Sequence, residues 1–105
     1  MIKHVVMWRL RGANEAEKTR AQHLVKTVFE SLNGKIPGML HLEIGFDTSA
    51  ADYACDVVLY SEFESQAALD AYANHPEHWL AKERVGDVRI ERHQVDYTAP
   101  VNPLR

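Results

Sequence analysis

From Ile2 to Leu10 the chain alternates, with Ile2, His4, Val6, Trp8 and Leu10 on one side and Lys3, Val5, Met7 and Arg9 on the other, the period-two signature of a strand. Both sides carry apolar groups. Gly12 ends the run, and Asn14 followed three residues later by Glu17 forms a capping box. The helix that follows has an apolar stripe of Ala21, Leu24, Val25, Val28, Phe29 and Leu32 and a left-handed stop at Asn33-Gly34. After a turn at Pro37-Gly38, Leu40, Leu42, Ile44 and Phe46 alternate with more polar positions and predict a second strand. A polar loop covers Asp47 to Asp52. A third strand, from about Asp56 to Phe63, sets Val57, Leu59 and Ser61 against Val58, Tyr60 and Glu62. Ser65 is a natural N-cap for a second helix carrying Leu69, Tyr72 and Ala73. Pro76 disfavours the helical conformation at His75, so the chain turns there and starts a short helix with proline in its first turn. Trp79, Leu80 and Val85 are expected to pack inward from that helix, and Val88 to Tyr97 reads as a fourth strand. The tail from Pro100 to Arg105, with two prolines, is expected to be extended.

The order strand, helix, strand, strand, helix, strand is the split βαβ arrangement called ferredoxin-like. The expected class is therefore α+β: an antiparallel four-stranded sheet with its helices on one face. The other face carries Val5, Met7, Val58, Tyr60, Val95 and Tyr97 by parity. A contiguous apolar patch of that kind is rarely left open on a monomer, and a second copy packing sheet to sheet covers it. A homodimer is the expected assembly.

Composition narrows the functional classes. A chain of 105 residues holds one domain, and 46% hydrophobic with 26% charged residues places it among ordinary globular proteins. The net charge of -3, with Lys and Arg dispersed, excludes a phosphate-tracking surface, so no nucleic-acid partner is expected. No apolar run approaches the roughly 20 residues of a membrane span. The lone Cys55 has no partner for an internal disulfide and no basic sequence neighbour to activate it, and the N-terminus lacks a secretory pattern. The expected location is cytoplasmic.

On the helix-facing side the strands offer His4, Val6 and Trp8, then Val57 and Leu59, then Arg92, Gln94 and Asp96, with Tyr72, His75 and His78 at the rim of the second helix. Buried polar groups need partners, so these residues either satisfy one another or line a cavity. An enclosed site containing His4, Tyr72, His78 and Asp96 is the sharper expectation. An imidazole passes protons near neutrality, a phenol polarises a carbonyl, and Asp96 is placed to orient His4. The plainer alternative makes His75-Pro76-Glu77-His78 a structural turn whose rings bond to backbone and to Tyr72. Metal binding is weakly signalled: His75 and His78 lie three apart, with His4, His41 and His93 as further donors, but structural zinc wants four ligands, usually with cysteines, and proline splays the pair. No metal or cofactor is expected. His23 is expected to face solvent, His41 and His93 the interface or solvent, and Trp8 and Trp79 the core. Glu77 and Glu83 read as helix-surface charges. There is no glycine-rich phosphate loop and no nucleophile elbow.

Taken as a string, Phe63-Glu64-Ser65, Tyr72 and His75-Pro76-Glu77-His78, with the opening Met1-Ile2-Lys3-His4-Val5-Val6 and the closing Val95-Asp96-Tyr97, resembles the Dabb family of stress-responsive dimeric α/β barrels. The likeness runs from Met1 to about Thr98, implying a domain over 1–98 and a tail over 99–105. It implies a homodimeric barrel. A more distant likeness to olivetolic acid cyclase, a plant member that closes a polyketide with a tyrosine and two histidines, matches Tyr72 and His78, whereas the second histidine corresponds to Val57. Cyclisation by that mechanism lacks one of its groups here, and Arg92 and Gln94 are more polar than a polyketide tail favours. The expectation is a small organic molecule bound by His4, Val6, Trp8, Val57, Leu59, His75, Arg92, Gln94 and Asp96, with cofactor-independent acid–base chemistry at Tyr72 and His78. The alternatives are a non-catalytic stress-associated dimer and, by fold analogy alone, a cofactor-free monooxygenase.

Overall fold

The computed structural model describes residues 1–100. Strand β1 (Ile2–Leu10) leads to helix α1 (Glu15–Glu30), strands β2 (Met39–Phe46) and β3 (Val57–Phe63), helices α2 (Gln66–Ala73) and α3 (Pro76–Val85), and strand β4 (Arg89–Thr98). The sheet order is β2-β3-β1-β4 and every pairing is antiparallel, so the fold is α+β and ferredoxin-like. Of the tail expected to be extended, all but Ala99 and Pro100 lies outside the described residues.

Local chemistry accounts for the helix ends. Asn14 accepts from the Glu17 amide at 2.9 Å, while the Glu17 carboxylate reaches back to the Ala13 amide at 2.7 Å. Ser65 accepts from the Ala68 amide at 3.1 Å and starts α2. Gly38, at φ +79°, turns the chain beneath α2 so closely that a Cβ there would lie 2.6 Å from the Ala68 methyl; the position requires glycine on both counts.

The core lies between the helices and one side of the sheet. Val25, Val28 and Phe29 from α1 and Ala81 and Val85 from α3 meet Val6, Trp8 and Leu10 of β1 and Val57, Leu59 and Phe63 of β3, all buried. Trp8 stacks on Phe29 with centroids 5.3 Å apart.

Several expected core positions lie outside. Trp79 (59% exposed) and Leu80 face outward, because the inward stripe of α3 is His78, Ala81, Lys82 and Val85, at helical spacing from the rim histidine. Leu24 is exposed at the edge of the α1 stripe. Leu40 (54% exposed) is thrown out by a bulge: Met39 pairs with Phe63 and His41 with Glu62, leaving Leu40 as the extra residue.

On the opposite face Met7, Val95 and Tyr97 are exposed and Val5, Val58 and Tyr60 half-buried, as the alternation of β1, β3 and β4 requires.

Candidate functional site

Strands β1 and β4 and helices α2 and α3 converge on one chamber. The register of β1 and β4 sets His4 opposite Asp96, Val6 opposite Gln94 and Trp8 opposite Arg92. Side chains two apart on β4 share a face, so Arg92, Gln94 and Asp96 form a hydrogen-bonded row. Arg92 donates to the Gln94 side-chain Oε1 at 2.5 Å, the Gln94 side-chain amide donates to Asp96 at 3.0 Å, and the His4 Nδ1–H donates to Asp96 at 2.5 Å. Ser61, fully buried, ties its hydroxyl to the His4 carbonyl at 3.1 Å, so the backbone beneath the ring is fixed from β3 as well.

From the helical layer, α2 ends at Ala73 and the chain turns through Asn74 into α3, with His75 as its N-cap. The turn brings the Tyr72 and His78 rings to 4.3 Å between centroids. Tyr72 packs on Phe63 at 5.2 Å and edge-on to His4 at 6.3 Å. The His78 Nδ1–H donates to the Ala73 carbonyl at 3.3 Å, which leaves Nε2 of the neutral ring with its lone pair. Burial first, then the charges of Lys82, Arg89 and His4, holds the His78 imidazole below the usual histidine range, against the pull of the Ala73 bond. The Tyr72 phenol is pushed up by burial, against a weaker pull from Arg92 and Arg89. These surroundings favour the neutral imidazole at His78 and the protonated phenol at Tyr72.

Two connected hollows share His4, Tyr72, His78, Lys82 and Arg92. The outer one, about 300 Å³, is bounded by Gln66, Leu69 and Asp70 of α2 together with Gln94 and Asp96. The inner one, about 40 Å³, reaches Val6, Trp8, Phe29, Leu59 and Arg89. Of the residues expected to form a site, these hollows unite His4, Val6, Trp8, Leu59, Tyr72, His78, Arg92, Gln94 and Asp96. Two are placed elsewhere. Val57 lies 2% exposed in the core, and the His75 ring accepts from the Glu77 amide at 3.0 Å, capping α3.

Lys82 and Arg89 line the chamber and escape the sequence reading. Lys82 lies one turn beyond His78, so its helical spacing was the available signal. Arg89 is hidden by a bulge, since Arg9 pairs with Glu91 and Leu10 with Arg89. Skipping Ile90 turns Arg89 toward the helices against the strand's alternation.

A separate hollow of about 350 Å³ lies beside the loop after β2, lined by Arg9, Lys18 and several aspartates without histidine or tyrosine. Its Asp56 is engaged by the Leu10 amide at 2.7 Å and by Lys18 at 3.6 Å. Among the described residues, Cys55, Glu91 and His93 bring possible metal-ligand atoms within 4.8 Å of one another. Glu91 is already bonded by Arg9 at 2.9 Å and His93 at 3.1 Å, and burial pushes the Cys55 thiol up.

Comparison with known proteins agrees with this architecture. The sequence model of the stress responsive A/B barrel domain (Dabb) matches residues 2–99. A stress-response A/B barrel domain-containing protein of Arabidopsis thaliana is 28% identical over 98% of this chain, which spans 49% of that relative's length. A dimeric protein of ferredoxin-like fold and unknown function from Bacteroides fragilis superposes with a TM-score of 0.80 at 31% identity, covering 91% of this chain and 93% of that one. A hydroxynitrile lyase from Passiflora edulis shares the fold at 14% identity and TM-score 0.74, over 97% of this chain and 96% of that one. No helix among the described residues is long and apolar enough to cross a membrane.

Proposed function

Because the chain belongs to the stress responsive A/B barrel (Dabb) family, we propose that it works as a homodimer in which each protomer binds a small organic molecule and moves a proton on it without a cofactor. The functional domain is residues 1–98, and the site is the chamber between the sheet and α2–α3. His78 acts as the base and Tyr72 donates a hydrogen bond to an oxygen of the bound molecule. His4, aligned by Asp96, presents a second ring to the same space. The lone Cys55 fits a cytoplasmic setting.

One observation carries this reading: Tyr72 and His78 stand ring against ring at the junction of the two hollows, in surroundings that push their protonation in opposite senses. Such a separation is the usual mark of an assigned donor and acceptor. The dimer is supported by the exposed Met7, Val95 and Tyr97 and by the dimeric Bacteroides relative.

A second reading, a non-catalytic dimer, is favoured by His75, whose ring is spent on capping α3. Native and denaturing mass spectrometry of freshly purified protein separates the two. The first reading expects a small molecule released on denaturation and lost from Tyr72→Phe and His78→Gln variants that remain folded dimers. A dimer that carries nothing, and whose variants change in stability alone, would establish the second.

A further inference from the structure

The inner hollow is lined by Lys82, Arg89 and Arg92 and by no carboxylate. None of these three cations lies within 4.0 Å of an acidic group among the described residues. Asp70 and Asp96 face the outer hollow only, and Asp96 is taken up by His4 and Gln94. Arg89 is the telling member. Its guanidinium lies over the rings of Trp8 and Phe29, 5.2 and 5.8 Å from their centroids, which satisfies its faces. Its Nε–H edge is buried and has no partner among the described residues. A buried guanidinium N–H without an acceptor is costly, and the preferred acceptor for its planar edge is an oxyanion.

We propose that the molecule bound in this chamber is a small organic carboxylate, its head seated against the Arg89 guanidinium between Lys82 and Arg92 and its body extending past Tyr72 and His78 into the outer hollow. This rests on the small-molecule reading above and gives it a substrate class. The narrow inner hollow, flanked by Trp8 and Phe29, suits a flat carboxylate better than a tetrahedral phosphate. The three cations also lie where negative charge would gather if His78 took a proton from the carbon beside the carboxylate, the C–H electron pair passing into the carboxylate oxygens.

The test is a titration of the intact ¹⁵N-labelled protein with benzoate, its neutral counterpart benzamide, and phenyl phosphate, followed through the arginine Nε–H signals and the backbone amides. Benzoate should bind saturably, move the Arg89 Nε–H signal, and bind about tenfold or more tightly than benzamide. Arg89→Gln should weaken benzoate by about the same factor while leaving benzamide unchanged, and Arg89→Lys should recover part of the loss. If Arg89→Gln does not fold, Lys82→Gln at the half-open end of α3 should weaken benzoate selectively in the same sense. Equal binding of benzoate and benzamide at the Tyr72 and His78 amides would overturn the carboxylate while leaving the small-molecule chamber standing. Tighter binding of phenyl phosphate would replace the carboxylate by a phosphate ester. Absence of any shift in the chamber with all three probes would remove both proposals.

Discussion

His4 and Asp96 occupy opposed positions on β1 and β4 and join their side chains at 2.5 Å across the strand pair. The histidine is 7% exposed and makes this bond from an otherwise apolar wall, so the carboxylate both satisfies its N–H and fixes which nitrogen faces the chamber.

Asp96→Asn keeps the side chain's size and removes its charge. A hydrogen bond to a charged group contributes about 1.5–3 kcal/mol, and the partial exposure of Asp96 places the expected loss near the lower end, about 1–2 kcal/mol. Urea denaturation at neutral pH measures it. Gln94→Ala, which removes only a neutral donor to the same carboxylate, should cost less.

His78 gives the protein a pH signature. Its imidazole is held below the ordinary histidine value by burial and nearby cations, so between the folded value and the unfolded value of about 6.5 the unfolded chain binds more protons. The contribution of this group is fully present above about pH 6.5 and falls away as the solution is acidified toward the folded value. Denaturant midpoints from pH 8 to pH 5 should therefore decline on the acid side, and His78→Gln should flatten part of that decline. An unchanged slope in the variant would mean that other groups govern it.

The order of elements was legible from alternation and caps because β1, β3 and the outer half of β4 keep strict period two, and Asn14, Ser65 and Pro76 act through local chemistry alone. The opposition of His4 to Asp96, and their nearness to Tyr72 and His78, followed from the same parity. What alternation missed lies at two bulges, one ejecting Leu40 and the other turning Arg89 inward. A bulge inverts parity without a composition signal, so the alternation that places Arg92, Gln94 and Asp96 does not extend to Arg89. The misplacement in α3 has a different source: Trp79 and Leu80 are the largest apolar residues of the helix but lie off the stripe through His78, Ala81 and Val85, and α3 has too little apolar contrast for its inward side to be read from hydrophobicity.

The Leu40 bulge makes a direct prediction. Leu40→Ser should alter stability by no more than about 0.5 kcal/mol, as at other exposed sites, whereas Leu42→Ala, two residues on and 1% exposed, should cost about 2–5 kcal/mol. Thermal and urea unfolding of the two variants decide it. Comparable losses would mean that β2 pairs without the extra residue.

The outer face of the sheet supplies the last prediction. Val95 stands opposite Val5 where the edge strand β4 pairs with β1, with Tyr97 and Met7 flanking them, and its 59% exposure is large for an aliphatic residue in the middle of a strand pair. Packing this face against its counterpart removes these groups from water, and a charge placed at Val95 would have to be desolvated with no partner opposite but its own symmetry mate or a valine. Light scattering at micromolar concentration should give about twice the 12.0 kDa chain mass for the parent protein and a monomer for Val95→Glu. Val85→Ala, a truncation in the core on the helical side, should lower stability and leave the mass unchanged. A parent protein that scatters as a single chain would show that the apolar face is tolerated in water, and the paired barrel would then have to be given up.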